Sequence, residues 1–512
     1  MVTKRKIKKV LVANRGEIAV RVIRCCHDLG IRSVAVYSEC DAAAIHVRMA
    51  DEAYPIGPSP STESYLVIDK IIDVAKRSGA DAIHPGYGFL AENAEFAEAC
   101  VRNDLIFIGP KPETIRLLGD KLLARETALA AKLPVVPGAD IHGQGGEQAL
   151  ALARMVGFPV LVKAAAGGGG KGMRVVESEE LFAESLESAA NEARSAFGDG
   201  RVYIEKYLAR PRHIEIQILC DQHGNAVHLG ERECSIQRRH QKVIEESPSP
   251  VMTPELRERM GGAAVSIAKE SGYVGAGTVE FMVDQDLSFY FLEVNTRLQV
   301  EHPVTEMVTG LDLVREQIRI AEGEPLPFRQ EDITFTGHAI ECRIYAENPE
   351  EGFVPSTGTL SHYRMPAGPG VRVDSGVILN SQIPVFYDPM VAKMIVYGKD
   401  RDEAIRRTKR ALQEFRVGGV DTTIGFHQVI MDNPTFVAGN LSTRFLQEEY
   451  PDNNFSRLDD TIRENAALAA ALDKFLKERR VLVGNSNRTN KKPCGWVTVH
   501  RRQNLRTFGG SR

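Results

Sequence analysis

The chain has 512 residues, more than one hydrophobic core of roughly 250–300 residues can organise, so we expect several domains. Its 43% hydrophobic and 26% charged residues are ordinary for a globular protein, and the net charge of −4 argues against a generally basic nucleic-acid-binding protein. No apolar run approaches the ~18–20 residues of a membrane helix, and the run after the basic start is too short for a signal peptide.

Short apolar runs alternate with amphipathic segments through about the first 115 residues. We predict strands at 10–13, 32–37, 82–84 and 105–108, and helices at 16–29, 68–78 and 94–101. This alternation of strands and helices favours a parallel, doubly wound sheet. Asn14-Arg15-Gly16-Glu17 lacks the glycines of a dinucleotide-binding turn, so we interpret this domain as a scaffold.

Two glycine-containing segments are candidates for contact with a ligand. In His84–Asn93, two glycines flank Tyr87 and allow a close backbone approach, and packing of a turn against the next domain is an equal alternative. Gly167–Gly170 lies between two predicted strands, where its free N–H groups suit an anion. No Ser or Thr follows Lys171, so this is not a Walker A loop. We interpret it as a mobile flap over phosphates, with a plain flexible hairpin as the alternative.

A small β-rich lobe follows, with the charges that a nucleotide needs. We predict its strands at 135–138, 159–163, 173–176 and 202–205, with a helix at 147–156. Lys121 begins an earlier helix and Lys163 ends a strand, and both supply point charges that suit phosphate oxygens. Lys206-Tyr207-Leu208 follows the last strand, where backbone groups can meet an adenine edge.

Two polar segments in the middle of the chain allow simpler interpretations. His213, Glu215 and Gln217 share one face of a predicted strand, which by default is a solvated face. The basic segment Arg232–Lys242 either lines an anion site or forms a solvated loop. No aromatic residues interrupt it, so base stacking by nucleic acid is unsupported.

The stretch richest in chemistry is Phe289–Glu301. Its first half is aromatic and β-branched, which predicts a strand with Glu293 and Asn295 on the same side. A strand at 278–283 precedes it across a turn, so a hairpin would bring Glu280 to Glu293. Two carboxylates and an amide suit Mg²⁺, without which the carboxylates repel each other. An anion fork, an amide and a possible base follow at once, as Arg297, Gln299 and Glu301.

A third, mixed domain is expected to begin with the alternating segment Thr334–Glu347 and to end near residue 450. We predict that Ile340, Cys342 and Ile344 face the core, and that Glu341, Arg343 and Tyr345 face out. For Arg343 two interpretations stay open: a surface ion pair, or a side chain that reaches into a cleft across the domain boundary.

From residue 8 to about 450 the chain resembles biotin carboxylase, the ATP-grasp component of biotin-dependent carboxylases. The resemblance rests on Ala13–Glu17, His84–Asn93, Gly167–Gly172, Arg238–Lys242 and Glu293–Pro303. The last two are the most specific, because other ATP-grasp ligases lack them. Ala166 and Lys171 depart mildly from the glycine and arginine that are common in the family.

The resemblance implies an α/β fold of three domains. These are an N-terminal doubly wound parallel-sheet domain (1–118), a central ATP-grasp domain with a mobile glycine-rich lid (119–333, lid about 134–208) and a C-terminal mixed α+β domain (334–450). It also implies a homodimer. Residues 451–512 lie beyond this core; we expect a helix at 459–480 and then a basic, disordered segment, with docking as the alternative.

The resemblance also implies, residue by residue, a site for ATP and two Mg²⁺ or Mn²⁺ ions. ATP would contact Lys121, Lys163, Gly168, Gly169, Gly170, Glu205, Lys206, Leu208, His213, Gln237 and His240. The metal ions would be organised by Glu280, Glu293 and Asn295. Bicarbonate would be held by Arg297, Gln299 and Val300, and the biotin end of the site would include Tyr87 and Arg343. Glu301 would be the base, with Lys242 facing the transferred phosphoryl group and Arg343 facing the ureido oxygen of biotin.

We therefore expect an ATP-dependent ligase that carboxylates biotin through carboxyphosphate. The chain has no Met-Lys dipeptide, the usual biotin acceptor, and no room for a carboxyltransferase. Its expected partners are thus a biotin carrier protein and a carboxyltransferase subunit, with neither nucleic acid nor membrane. The eight cysteines form no Cys-x-x-Cys pair, which suits reduced thiols in the cytoplasm.

Two other functions stay open at this point. One is a different ATP-grasp ligase that joins bicarbonate or a carboxylate to an amine, and the other is a non-catalytic nucleotide-binding or assembly subunit. The final acceptor also stays open, because acetyl-CoA, propionyl-CoA and pyruvate systems share this component.

Overall fold

The computed structural model describes residues 4–164, 173–455, 465 and 467–476. The first unit of the fold ends at Phe455, and a second unit begins at Ser456, of which the exposed helical residues 465 and 467–476 are described. The predicted glycine flap, including Gly168, Gly169 and Gly170, lies outside the described residues, as does most of the predicted tail. Across the described parts of the chain, no helix is both long and apolar enough to cross a membrane.

The first elements form a five-stranded parallel sheet with the order β3-β2-β1-β4-β5. The strands are β1 (Lys9–Val12), β2 (Arg32–Ser38), β3 (Glu52–Gly57), β4 (Ala82–His84) and β5 (Ile106–Phe107). The helices are α1 (Gly16–Asp28), α2 (Ile45–Met49), α3 (Ile68–Ser78), α4 (Ala94–Arg102), α5 (Pro112–Gly119) and α6 (Lys121–Ala130). The doubly wound parallel sheet is confirmed. We did not predict β3, whose Glu-Ala-Tyr-Pro-Ile-Gly sequence contains a proline and no apolar run.

The lid is a four-stranded antiparallel sheet with the order β6-β9-β7-β8. Its elements are β6 (Gly138–Asp140), α7 (Gly146–Val156), β7 (Val160–Ala164), β8 (Met173–Val176), α8 (Phe182–Phe197) and β9 (Val202–Lys206). The strand predicted at 135–138 is wrong: Val135 makes one isolated bridge to Phe291, and the strand begins at Gly138. Pro137 has no N–H to donate, which explains why the ladder does not extend backward through it.

An eight-stranded antiparallel sheet with the order β14-β13-β10-β11-β12-β15-β22-β20 carries the rest of the first unit. Its earlier part contains β10 (Arg212–Cys220), β11 (Ala226–Arg238), β12 (Gln241–Ser247), α9 (Pro254–Glu270), β13 (Gly275–Val283), β14 (Phe289–Asn295), α10 (His302–Thr309) and α11 (Leu313–Ala321). Its later part begins with β15 (His338–Tyr345), β16 (Glu347–Asn348), β17 (Val354–Pro355), β18 (Gly358–Thr359), β19 (His362–Arg364), β20 (Val371–Ser375), β21 (Gln382–Ile383) and β22 (Met390–Gly398). The chain then forms α12 (Arg401–Glu414), β23 (Arg416–Gly418), α13 (Ile424–Asp432), α14 (Pro434–Val437) and α15 (Phe445–Glu449). Three two-stranded sheets pair β16 with β17, β18 with β21 and β19 with β23.

One face of the large sheet is apolar and packs on helices. Ile340, Cys342 and Ile344 of β15 lie in a core that includes residues of α12 and α13, as predicted. Isoleucines of β10 pack against α9 in a second core. These two layers fix the positions of the strands that carry the polar face.

The opposite face of the same sheet carries a row of ionic side chains, all buried except the half-buried Glu293. Directly opposed residues of antiparallel strands share a face, and the opposed pairs here are Glu293 with Glu280, Glu280 with Glu215, Glu215 with Arg232, Glu245 with Glu341, and Arg343 with Lys393. The predicted hairpin that pairs Glu280 with Glu293 is confirmed.

Two expectations about exposed faces are wrong. His213, Glu215 and Gln217 are buried rather than solvated, and so are Glu341, Arg343 and Tyr345. The period-two pattern identified which residues share a face, but β10 and β15 are interior strands whose two faces are both covered.

The buried carboxylate of Glu246 on β12 contacts His338 of the neighbouring strand β15 and Arg401 of helix α12. These contacts lead to a prediction about the stability of the fold. His338 Nε2 lies 2.6 Å from Glu246 Oε2, and Arg401 of α12 donates to both carboxylate oxygens at 2.7 and 3.0 Å. Burial alone would raise the pKa of Glu246, but the hydrogen bond from His338 and the charge of Arg401 outweigh it and lower the pKa to about 2. Compared with an ordinary glutamate pKa of about 4.3, that shift stabilises the fold by about 3 kcal/mol at neutral pH.

We expect Glu246→Gln to lower the free energy of unfolding by about 3 kcal/mol at pH 7. A depressed folded-state pKa stabilises above the unfolded value, so the deficit should shrink as pH falls from about 4.3 toward 2. Urea unfolding at several pH values measures this, with the exposed Glu258→Gln on α9 as the control. A deficit independent of pH would show that shape, rather than charge, sets the contribution of Glu246.

Candidate active site

A cavity of about 770 Å³ lies between the lid sheet and the edge of the large sheet. Six predicted nucleotide contacts line it: Lys163, Glu205, Lys206, Leu208, Gln237 and His240. Two others, Lys121 and His213, are not among its lining residues. The cavity also has a wall that we did not predict, which includes Arg238, Phe353, Arg444, Tyr450 and Phe455. A pocket of this size and mixed lining suits a nucleotide.

The lid side of the cavity holds a buried ion pair. Lys163 Nζ of β7 lies 2.8 Å from Glu205 Oε2 of β9, and Arg125 approaches the other oxygen at 3.5 Å. Burial would lower the pKa of Lys163, but the charge of Glu205 raises it above the ordinary value. Burial also lowers the pKa of Lys121, which senses both Glu293 and Lys163. The charges of the two predicted phosphate-binding lysines thus influence each other, although only Lys163 lines the cavity.

A hydrogen-bonded chain leads from this cavity to the buried carboxylates. Gln237 Nε2 lies 2.8 Å from His213 Nδ1, and His213 Nε2 lies 2.9 Å from Glu280 Oε2. Burial would lower the pKa of His213, but the charge of Glu280 raises it. His213 thus connects a residue that lines the cavity to one that we predicted as a metal ligand.

Lys242 of β12 is the centre of a cluster of three carboxylates, Glu215, Glu280 and Glu301, which we call the carboxylate cluster. Its Nζ lies 2.5 Å from Glu215, 2.9 Å from Glu280 and 2.7 Å from Glu301. Burial would lower the pKa of Lys242, but these three charges hold it well above the ordinary value. The cluster therefore contains a permanent cation next to the predicted base.

The predicted metal ligands adjoin this cluster. Asn295 Nδ2 donates to Glu280 Oε1 at 2.8 Å, and Glu293 is the cross-strand neighbour of Glu280. Burial and the charge of Glu280 raise the pKa of Glu293. Burial would also raise the pKa of Glu280, but the charges of Lys242 and His213 outweigh burial and lower it. Glu280 is thus in direct contact with cations, whereas the charges of Lys121 and His213 offset that of Glu293 only in part.

This donor set fits a divalent ion. Hard oxygen donors on two opposed strands, one of them a carboxylate whose charge is only partly offset, are what Mg²⁺ or Mn²⁺ takes. Among the described residues, two groups have metal-ligand spacing by histidine, cysteine and carboxylate atoms alone: His213, Glu215 and Glu280, and Glu215, Cys234 and Glu301. Lys242 Nζ already contacts carboxylates of both groups, so Glu293 and its neighbours are the better metal position.

Arg297 is held at its Nε and leaves its fork beside Asn295. Glu92 Oε2 accepts from Arg297 Nε at 2.8 Å, and Arg297 Nη2 donates to Asn295 Oδ1 at 2.9 Å. Glu92 also accepts from the backbone N–H of Thr296 at 3.0 Å. The segment His84–Asn93 therefore contributes to the site by orienting this arginine.

Both oxygens of Glu301 contact cations. Lys242 lies at Oε1, and Arg343 Nη2 lies 2.9 Å from Oε2. Burial would raise the pKa of Glu301, but Lys242 and Arg343 hold it well below the ordinary value. Arg343 also donates through Nε to Glu245 Oε1 at 2.6 Å. The structure thus favours the interpretation of Arg343 as a cleft residue over the surface ion pair.

The backbone of the predicted bicarbonate loop is anchored from a third direction. Lys393 of β22 is fully buried and donates to the carbonyl of Val300 at 2.7 Å. Its Nζ also lies 3.1 Å from Glu17 of α1, which accepts a hydrogen bond from the hydroxyl of Tyr87. Tyr87 therefore lies where helix α1 of the N-terminal region approaches this loop, and it does not line the nucleotide cavity.

Several residues of the site escaped sequence reasoning, namely Glu92, Glu245, Lys393 and the cavity wall near 443–455. Arg232 was named only as part of the basic segment Arg232–Lys242, for which an anion site was one interpretation. The signal for Lys393 was present, because it is a lone charge within the apolar strand Met390–Gly398. The cavity wall gave no signal, since it comes from residues more than 200 positions away from β9 and contains no nucleotide motif.

Family models match nearly all of the first unit. The biotin carboxylase N-terminal domain matches residues 6–115, the ATP-binding domain of the carbamoyl-phosphate synthase L chain matches 120–329, and the biotin carboxylase C-terminal domain matches 341–448. A pyruvate carboxylase subunit from Methanothermobacter thermautotrophicus is 54% identical over 474 residues, 92% of this chain and 96% of the relative. Biotin carboxylase 1 of Bacillus subtilis is 56% identical over 442 residues, 86% of this chain and 98% of the relative.

Solved structures agree with this match. The biotin carboxylase domain dimer of 2-oxoglutarate carboxylase from Hydrogenobacter thermophilus, solved with MgADP, ADP and bicarbonate, has a TM-score of 0.84 at 49% identity, covering 89% of this chain and all of that chain. The complex of Campylobacter jejuni biotin carboxylase with β,γ-ATP has a TM-score of 0.83 at 48% identity, covering 86% and 99%.

Proposed function

The chain belongs to the biotin carboxylase family, and we propose that it catalyses the ATP- and bicarbonate-dependent carboxylation of biotin on a separate carrier protein. The observation that carries the proposal is the position of Glu301 between two cations. Lys242 contacts one carboxylate oxygen and also Glu280, which His213 and Gln237 connect to the nucleotide cavity, and Arg343 contacts the other oxygen. A base in this position serves an anion that meets ATP on one side and biotin on the other.

In the first step, Glu301 removes the proton of bicarbonate while a bicarbonate oxygen attacks the γ-phosphorus of ATP. The bond from the γ-phosphorus to the bridging oxygen breaks, and ADP and carboxyphosphate form. A positioned base contributes roughly 10²–10⁴ in rate. Arg297 and Gln299 hold the anion, and Lys242 neutralises charge that develops on the transferred group.

In the second step, carboxyphosphate breaks down to CO₂ and phosphate. The phosphate accepts the proton of the biotin ureido nitrogen, and that nitrogen then forms its bond to the carbon of CO₂. Arg343 stabilises the negative oxygen that develops on the ureido group. Burial of these residues keeps water from hydrolysing carboxyphosphate.

The residues that would hold Mg²⁺ or Mn²⁺ are Glu280, Glu293 and Asn295. A metal bound there would neutralise negative charge on the phosphates of ATP. The chain itself presents the two carboxylates from opposed strands, and Asn295 orients Glu280 by donating a hydrogen bond to it.

Beyond the reaction itself, we propose a homodimer that works with a biotin carrier protein and a carboxyltransferase subunit. The dimer stated for the Hydrogenobacter thermophilus domain supports the first part. A cytoplasmic location fits the described cysteines, which are all free thiols. The division into domains at 118, 333 and 450 stays a prediction.

The test is ATP cleavage by the purified full chain with and without bicarbonate, biotin and carrier protein. We expect cleavage to require bicarbonate and to increase when free biotin is added, with carboxybiotin formed on an added carrier. Bicarbonate-dependent cleavage that biotin leaves unchanged would favour the other ATP-grasp ligase. Absence of all cleavage would favour a non-catalytic nucleotide-binding subunit.

A further inference from the structure

Arg232 of β11 is a fully buried arginine that lies beneath the proposed bicarbonate site. A guanidinium has five N–H donors and no acceptor, and here every donor has a partner. The partners are Glu215 Oε1 at 2.5 Å, Gln217 Oε1 at 2.7 Å, Gln299 Oε1 at 2.9 Å, Thr305 Oγ1 at 3.0 Å and Thr278 Oγ1 at 3.1 Å. Arg232 therefore has no donor left for a substrate, and its effect must pass through these partners.

The contact with Gln299 fixes which end of that amide faces the anion. An amide has an acceptor oxygen and a donor NH₂ group, and Arg232 can pair only with the oxygen. The NH₂ group must then point away from Arg232, and it does so by donating to Glu280 at 2.7 Å. Without Arg232 the amide oxygen would lose its partner, and only the bond from the NH₂ group to Glu280 would oppose a rotation that turns the oxygen toward an anion that it repels.

Through Glu215, Arg232 also acts on the position of Lys242. Arg232 holds Glu215 Oε1, and Lys242 Nζ lies 2.5 Å from Glu215 Oε2. One arginine thus contacts the partners of two proposed substrate-binding regions, Gln299 in the loop after β14 directly and Lys242 on β12 through Glu215. Arg232 is also among the charges that offset burial and lower the pKa of Glu301.

We propose that Arg232 is a positioning residue for the bicarbonate step, which orients the amide of Gln299 and, through Glu215, the ammonium of Lys242. This inference rests on the proposed function. A purely structural ion pair would stabilise the fold equally, but it would leave the affinity for bicarbonate unchanged.

The first test is Arg232→Lys, which keeps the charge but cannot supply five donors in a fixed fork. In the bicarbonate-dependent ATP cleavage assay of the full chain, we expect KM for bicarbonate to rise at least tenfold, with KM for ATP within twofold of wild type. The matched control is Arg257→Lys, because Arg257 makes a two-contact pair with Glu231 outside the site at 2.7 Å. That control should lower the melting temperature while both KM values stay within twofold.

A double mutant separates positioning from general damage. If Arg232 acts on bicarbonate mainly through Gln299, then Arg232→Lys should raise KM for bicarbonate less than threefold in a Gln299→Ala background. The same tenfold rise in both backgrounds would overturn the role of Gln299 in the proposal. If Arg232→Lys does not fold, Thr305→Val removes one hydroxyl partner and should raise the same KM about threefold.

The two levels of inference fail in different ways. An inactive wild-type chain would overturn the proposed function and this role with it. An active wild type whose KM for bicarbonate is unchanged in Arg232→Lys and in Thr305→Val would overturn only the role of Arg232.

Discussion

Glu301→Gln is expected to lower bicarbonate-dependent ATP cleavage by 10²-fold or more while nucleotide binding survives. Glutamine keeps the size of the side chain but cannot accept a proton at neutral pH. The neighbouring cations keep other partners, because Lys242 still contacts Glu215 and Glu280, and Arg343 still contacts Glu245. The fold should therefore remain intact although the base is lost.

Steady-state ATP cleavage with bicarbonate and calorimetric titration with MgADP measure these two outcomes. Glu316→Gln is the matched control, since Glu316 is also a buried carboxylate but lies on α11 and pairs with Arg319. We expect near wild-type cleavage from it. Turnover of Glu301→Gln within threefold of wild type would remove Glu301 from the role of base.

Arg343→Ser is expected to lower biotin carboxylation by about 10²–10³-fold with ATP binding retained. Loss of a donor to a developing oxyanion typically costs about 2.7–4 kcal/mol, which corresponds to that range. Serine cannot reach the ureido oxygen, and the buried Glu245 and Glu301 each lose a cation. A lower melting temperature is therefore also expected, because an unpaired buried charge is costly.

Arg343→Lys separates the two effects, since it keeps the charge but not the fork. We expect the melting temperature of Arg343→Lys to lie close to that of the wild type. We expect its biotin carboxylation, measured as carboxybiotin formed per ATP cleaved, to stay almost as low as in Arg343→Ser. Arg364→Ser on β19 is the surface control. An Arg343→Ser variant that carboxylates biotin at the wild-type rate would mean that its contacts serve folding alone.

The sequence predicted the chemistry of the site better than its surroundings. The hairpin of β13 and β14 follows from two apolar strands and a turn, and its register brings Glu280 opposite Glu293 as expected. The parallel sheet follows equally well from the alternation of strands and helices. In both cases the signal is local, so neighbouring residues in the chain are enough to find it.

What covers a strand could not be predicted in this way. Alternation in Thr334–Glu347 identified Arg343 and Tyr345 as neighbours on one face, yet we expected that face to be exposed. It is buried because β12 and β22 pair on either side and the proposed bicarbonate loop lies over it. Likewise, the sequence could not show which residues Arg232 contacts, because its partners come from β10, β13 and α10 and meet only in the folded structure.

The uninterrupted run of the large sheet from β14 to β20 has a practical consequence for anyone who wants to dissect the molecule. A cut anywhere in 330–337, between the regions matched by two family models, would separate β12 from β15 in mid-sheet. Each fragment would then expose an unpaired edge strand, β12 in one and β15 in the other, and unpaired edge strands are prone to aggregation. The residues proposed for the ATP step and those proposed for the biotin step thus lie on one continuous sheet, and we expect that neither half folds as an independent module.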